Sequence, residues 1–338
     1  MPENINKGIG MIERSNPFKP IYQICNSGNS KEKLANLPDF PRCIDIELTN
    51  TCNFRCLMCP TGNKSQKRKK GFMQDSVFDK ILDEIKDRRT PLRFVRWGEP
   101  TMHPNFMDYI HKAKQLNILC HIGTNGSFLN EENIAELIDA GLDSIKFSFQ
   151  GVDRKSYEEM RNVDYFNDLI EVVTLFYKIR GNREEPYIHV STTITYEDRK
   201  SVLKFEETFS EIADLTTVGR TNLEHTEPED IRLSKDKIET LKRLKEQETL
   251  VKKLLECPEV FDKLSINWDG TVSACCEDFD NKMLIGDINK DKLEVIWKSE
   301  KMNSYRETLA NMGHDRLELC RTCYDYAELQ TPGLQNTD

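Results

Sequence analysis

The sequence predicts an α/β fold built around a mainly parallel sheet, and three observations lead there. From residue 43 onward, short apolar runs alternate with longer stretches of helical periodicity about six times in succession. That is the pattern of strand–helix–strand crossovers. The chain has 338 residues and 38% apolar content, enough to bury a full core as one large domain plus a smaller one. It carries neither an internal repeat nor a low-complexity tract.

Residues 1–41 read as an N-terminal arm, with little periodicity and turn formers at residues 26–30, Pro38 and Pro41. The core domain spans 42–233. It opens with a buried strand at 44–48, which feeds a loop bearing Cys52, Cys56 and Cys59. A helix over 77–85 and a strand over 92–97 follow, then helix 104–116 and strand 118–123. Helix 131–140 stops at Gly141, a good residue just past a helix end. Strand 143–149, helices through 153–179, strand 187–195, helix 200–212 and strand 214–218 complete the series. Six units are two short of a closed eight-unit barrel. In such sheets, active sites gather at the C-terminal ends of the strands, and the cysteine loop lies just after the first strand. A polar helical connector (234–256) then leads to a cysteine-rich tail (257–338).

Composition narrows the function classes. No apolar run approaches 18 residues, so no transmembrane helix is expected. The polar start MPENINKGIG lacks a signal-peptide core. The 11 cysteines cluster at metal-ligand spacings, which points to a reducing, cytoplasmic setting rather than to disulfides. A net charge of −9 argues against nucleic-acid and membrane partners. The basic run from Lys64 to Lys70 has two readings: a solvated flexible loop, or a surface that steers an anionic or phosphorylated small molecule.

The spacing Cys52-x3-Cys56-x2-Cys59 is the most specific signal. Three thiolates do not complete a tetrahedral zinc site without a distant fourth ligand. They fill three corners of a [4Fe–4S] cluster and leave one iron open. With Met58 before the last cysteine, the motif resembles that of the radical S-adenosylmethionine (SAM) enzymes. The resemblance implies a partial (β/α)6 TIM-like barrel. It implies SAM chelated to the open iron by its amine and carboxylate, and reductive cleavage to a 5′-deoxyadenosyl radical. It also implies an electron donor such as flavodoxin or ferredoxin. Trp97-Gly98-Glu99-Pro100 resembles the family's GGEP motif, in which backbone and glutamate hold the SAM amino group. Arg96 and Trp97 stand where the family more often has small residues. Arg96 reads either as a salt-bridged barrel residue or as a cation reaching into the site. By the same resemblance Thr124, Asn125, Ser148 and Gln150 fall at cofactor-contacting strand ends, and Arg161 pairs with the SAM carboxylate.

Cys257, Cys275, Cys320 and Cys323 form a second ligand-like set, with a strand–turn–strand over 266–272 bending at Asp269-Gly270. The pattern resembles the SPASM extension of radical SAM enzymes. It lacks the later Cys-x5-Cys-x3-Cys part, so it matches the truncated "twitch" form with one auxiliary [4Fe–4S] cluster. A zinc site held by the same four thiolates is the alternative. Cys276 is either a small buried thiol or a hydrogen-atom donor, with Glu277 as a general base. Cys25, Cys43 and Cys120 read as packing residues, and of the histidines only His189 lies on a strand where it would point inward. The expected function is a radical SAM oxidoreductase, dehydrogenase- or epimerase-like, acting on a sugar- or aminocyclitol-like alcohol. A peptide or protein maturase and a non-catalytic metal-binding scaffold are the competing readings.

Overall fold

The computed structural model describes residues 13–195, 197–221, 223, 235–246, 250–252, 257, 259–321, 323 and 327–329. Strands β1 (Cys43–Ile46), β2 (Leu92–Phe94), β3 (Cys120–Thr124), β4 (Ser144–Ser148), β5 (Tyr187–Ile194) and β6 (Leu215–Arg220) lie side by side, all parallel. Their side chains alternate by period two. Ile44, Ile46, Leu92, Phe94, Ile145, Phe147, Ile188 and Val190 face the covering helices and are fully buried in one core. Asp45, Arg93, Lys146 and His189 take the opposite register and face the barrel lumen.

The arm holds two short helices, α1 (Lys19–Cys25) and α2 (Ser30–Ala35). The covering helices are α3 (Asp75–Ile85), α4 (Phe106–Gln115), α5 (Glu131–Asp139), α6 (Arg154–Arg161), α7 (Phe166–Arg180) and α8 (Arg199–Phe209). In α3 the buried residues Val77, Phe78, Ile81, Leu82 and Ile85 make one stripe, as the helical period requires. Helix α9 (Lys235–Glu246) occupies the expected connector, followed by β7 (Leu250–Lys252); the rest of that connector lies outside the described residues. The C-terminal part contributes β8 (Lys263–Ile266), β9 (Thr271–Ser273), β10 (Leu284–Asp287), α10 (Leu293–Trp297), α11 (Glu300–Ala310) and β11 (Ala327–Leu329), which pairs with β7.

Two features go beyond the sequence reading. The tail is not a separate sheet: β8 pairs in parallel with β1, giving one nine-stranded sheet in the order β10-β9-β8-β1-β2-β3-β4-β5-β6. The β8–β9 turn is the expected one, with Gly270 at φ +86°. The arm, which looked aperiodic, folds because Asn29 and Glu32 form a reciprocal cap at the start of α2. It then packs across the N-terminal ends of the strands. Phe18 is fully buried with its ring 5.7 Å from that of His121, and Arg14 donates to the Gly181 and Arg183 carbonyls at 3.0 and 2.9 Å. Among the described residues, no helix is long and apolar enough to cross a membrane.

The arm therefore acts as a plug at the end of the barrel opposite the cysteine loop. Phe18→Ala should cost about 3–5 kcal/mol of unfolding free energy, as measured by denaturant titration. A cost under about 1 kcal/mol would mean that the arm is merely draped over the barrel.

Candidate active site

The cysteine loop leaves β1 and is folded back on itself by local bonds. The Asn63 amide donates to the Leu57 carbonyl at 2.9 Å, and the Asn63 backbone N–H donates to the Cys59 carbonyl at 2.8 Å. Arg161 at the end of α6 reaches the same loop. Its Nη1 donates to Cys56 Sγ at 3.5 Å, and its Nη2 to the carbonyls of Ser148 and of Phe149. The Arg161 Nε is buried with no hydrogen-bond partner, so one strong donor beside the cysteines awaits an acceptor. Burial pushes the Cys52 thiol up to about 12; the Phe54 N–H opposes this, while Cys56 and Glu99 add to it.

The GEP segment is locked onto this loop by contact. A Cβ at Gly98 would lie 2.0 Å from the Thr49 carbonyl oxygen, so only glycine fits. The next residue's N–H, that of Glu99, donates to the Thr51 carbonyl at 2.9 Å. The Glu99 carboxylate is 3% exposed. Its Oε1 accepts from the Thr101 N–H (3.2 Å), the Thr101 hydroxyl (2.6 Å) and the Thr124 hydroxyl (2.7 Å), and its Oε2 accepts from the Asn125 N–H (2.8 Å). Burial raises its pKa, with these bonds opposing the rise. Oε2 keeps a free acceptor site. Asn125 Nδ2 points at Cys52 Sγ, 3.8 Å away. Glu99, Thr124 and Asn125 thus form one unit at the cysteine loop. Gln150 instead clasps the rim, donating to the Thr193 carbonyl (3.0 Å) and the Thr221 hydroxyl (2.6 Å). Met58 packs in a small apolar group with Leu57, Met160 and Leu223.

Arg96 follows neither of its two expected readings. Its Nη1 donates to the Cys275 carbonyl (3.2 Å), and its Nη2 to Asn267 Oδ1 (3.1 Å) and the Asp278 carbonyl (2.9 Å). The Trp97 indole N–H donates to the Cys276 carbonyl at 3.1 Å. Arg96 sits at φ +101°, a strained backbone for a non-glycine residue, held in place by these bonds. The pair clamps the loop 275–278 onto the end of β2. Two of the five basic side chains in the run are committed. Arg68 forks Glu47 at 2.8 and 2.6 Å, and Lys70 donates to the Asn50 carbonyl (2.8 Å) and Gln66 Oε1 (3.1 Å). The loop is tied down rather than flexible, with Lys64, Lys67 and Lys69 exposed.

Behind the clamped loop, Cys257, Cys275, Cys320 and Cys323 line one cavity together with Val260, Met283, Leu309 and Leu319. Glu259 and Glu277 line it too, and Cys276 lies against this wall. The Cys276 thiol is hydrogen-bonded to the Cys275 side chain and donates to Glu277 Oε1 at 3.9 Å, and its Sγ lies within 4.8 Å of ligand oxygens of Asp45 and Glu259. Both carboxylates are already neutralised: Asp45 by a bidentate Arg93 at 2.6 and 2.8 Å, Glu259 by Lys263 at 2.5 Å. Burial would raise the Asp45 carboxyl, but the Arg93 charge and hydrogen bonds outweigh it and hold it low. Among the described residues, that trio is the one group of three candidate ligands within 4.8 Å of one another. Neither cysteine set is drawn together that closely, whereas tetrahedral zinc at about 2.3 Å would pull its thiolates to about 3.8 Å apart.

Asp45, Arg93 and Lys146 were not among the sequence-derived site residues. Their signal was present: a single charged residue between two apolar neighbours in the middle of a short strand. His189 does face the lumen, bonded to Thr217 at 2.8 Å, with its pKa lowered to about 3 by burial and by Lys146.

Residues 46–209 match the family described as "Radical SAM superfamily", and residues 257–324 match "SPASM: Iron-sulfur cluster-binding domain". The chain belongs to the radical SAM superfamily. Its cofactors are SAM and [4Fe–4S] clusters. A relative from Pyrococcus furiosus, "Tungsten-containing aldehyde ferredoxin oxidoreductase cofactor-modifying protein", is 31% identical over 46% of this chain and 45% of its own length. The chain thus spans under half of that relative. The "S-adenosyl-L-methionine-dependent 2-deoxy-scyllo-inosamine dehydrogenase" of Niallia circulans is 20% identical over 83% of this chain and 91% of its own. The fold is similar to that of Streptococcus suis SuiB bound to precursor peptide SuiA, with TM-score 0.55 and 16% identity over 90% of this chain and 74% of that one.

In this radical SAM protein the Gly98–Thr49 contact has no slack. Gly98→Ala should weaken SAM binding at least tenfold while iron held by Cys257, Cys275, Cys320 and Cys323 is retained. A SAM titration and an iron count on the reconstituted variant check this. Unchanged SAM affinity would dissociate the close approach from cofactor binding.

Proposed function

We propose that this radical SAM enzyme oxidises an alcohol carbon of a small polyol- or aminocyclitol-like molecule held in the barrel lumen. The observation that carries the reading is that Cys276 touches Cys275 on one side and lumen-facing Asp45 on the other. One thiol lines the four-cysteine cavity, and the other, hydrogen-bonded to it, lies within 4.8 Å of Asp45. An electron acceptor in that cavity would therefore sit one residue away from the chamber.

When bound, SAM and the clusters would supply a hydrogen-abstracting 5′-deoxyadenosyl radical and an electron acceptor; a carbinol becomes a ketone once its hydroxyl proton also leaves, and Glu277, beside the Cys276 thiol, is the candidate base for it. Cys52, Cys56 and Cys59 would hold the cluster that binds SAM. Glu99 offers the free Oε2 site to the SAM ammonium, and Arg161 offers its unpartnered Nε to the SAM carboxylate. Thr124 and Asn125 hold Glu99 in place, and Ser148 ends the neighbouring strand. The Arg96–Trp97 clamp fixes the separation between the SAM site and the four-cysteine loop. The near full-length match to a SAM-dependent aminocyclitol dehydrogenase supports the substrate class.

Oxidation returns no hydrogen to carbon, whereas epimerisation needs a donor such as the Cys276 thiol. Cys276→Ala should therefore keep turnover, and product formed in deuterated water should carry no deuterium at carbon. The test is mass spectrometry of the product alongside 5′-deoxyadenosine release. Deuterium at one carbon, with turnover lost in Cys276→Ala, would replace oxidation by epimerisation. Turnover coupled to a peptide rather than to any small alcohol would overturn the substrate class.

A further inference from the structure

Among the described residues, most of the cations around the lumen are paired. Arg93 is forked by Asp45, Lys263 is paired with Glu259, Arg68 is forked by Glu47, and the Arg96 Nη groups are spent on carbonyls and Asn267. Lys146 differs. Among the described residues it makes no hydrogen bond and no ion pair, although it is half-buried in the middle of β4. Its flanking residues Ile145 and Phe147 are in the hydrophobic core, so its own side chain stands on the lumen face. The neighbouring position on β3 is Gly123, whose missing side chain leaves room for the lysine stem: a Cβ there would lie 3.7 Å from Lys146 Cε. On β5 the neighbour is His189, bonded to Thr217 and neutral.

The position along the strand matters as much as the missing partner. Ser148, expected at the cofactor, is two residues further on the same face, about 7 Å away at strand rise. A molecule seated between SAM and the lumen floor would therefore meet the Lys146 ammonium. Enclosure and the nearby Arg93 charge disfavour the bare ammonium, with Asp45, Cys276 and Glu277 only partly compensating. A cation in that state gains most from an anion brought to it in the dry chamber.

We infer that Lys146 is a substrate-binding residue that pairs with a carboxylate or phosphate carried by the molecule bound in the lumen. This rests on the lumen being the substrate chamber, and it adds an acidic group to the alcohol proposed above. It also moves anion recognition from the exposed loop lysines, which stand outside the chamber, to a single enclosed ammonium.

The test is isothermal titration calorimetry on the reconstituted, SAM-loaded enzyme, with inorganic phosphate and malonate as separate probes. The wild-type chain should bind one equivalent of one of them, and which one binds separates a phosphorylated from a carboxylated substrate. Lys146→Met should weaken that binding at least tenfold, Lys146→Arg should retain it, and Lys67→Met in the loop should leave it unchanged. Lys146→Gln replaces the methionine variant if circular dichroism shows that variant to be unfolded. The inference is overturned if the wild type binds neither anion, if the neutral variants bind as well as the wild type, or if Lys67→Met carries the loss. Saturable anion binding through Lys146 without ketone formation from any alcohol would sink the oxidation reading and leave this one standing.

Discussion

The site depends on one steric constraint: the backbone of Gly98 lies against the Thr49 carbonyl, with no room for a Cβ. That contact brings the end of β2 onto the segment just before Cys52. From it, the residues on either side reach different centres. Glu99 turns toward Thr124, Asn125 and the three-cysteine loop. Arg96 and Trp97 turn toward the carbonyls of 275–278 and the four-cysteine cavity. A single strand end therefore sets the relative placement of the two cysteine sets. Arg96 holds a strained φ of +101° to do so, and strain of that kind, on the order of 1–3 kcal/mol, persists only where surrounding bonds over-determine it.

The second organising fact is electrostatic. A barrel lumen lined by Asp45, Arg93, Glu259, Lys263, Lys146 and His189 would be prohibitively costly if those charges stood alone. Pairing solves most of it, since each lumen carboxylate holds a cation in direct contact and His189 stays neutral. The arm closes the N-terminal end with Phe18 on His121 and Tyr22 against Arg93. The chamber is thus sealed below and preorganised around, which is what radical chemistry needs to keep water and stray hydrogen donors away.

Much of this was legible in the sequence, for physical reasons that differ by element. The six β-α units were readable because the apolar faces of helices such as α3 and strands such as β4 follow their own periods. Both cysteine sets were readable because ligand spacing is local in the chain. What escaped was whatever depends on long-range pairing. The parallel join of β8 to β1 links residues more than two hundred positions apart, and no local signal announces it. Arg96 was visible as a departure from the family's small residues, but its partners are backbone carbonyls some 180 residues away. The basic run could be read as a flexible loop because Glu47, its anchor, lies just after the preceding strand rather than within the run. Lys146 sat unremarked in a strand read only for its apolar positions.

The account's central claim is that one chain carries two iron–sulfur centres of different kinds, one open to SAM through three cysteines and one closed by four. Electron paramagnetic resonance of the reduced protein, with Cys52, Cys56 and Cys59 all changed to Ala, tests it most directly. The account predicts that a [4Fe–4S] signal persists in the triple variant and is indifferent to SAM, while the wild type shows an additional signal that SAM perturbs. A triple variant devoid of iron, or a remaining signal that still shifts with SAM, would contradict it.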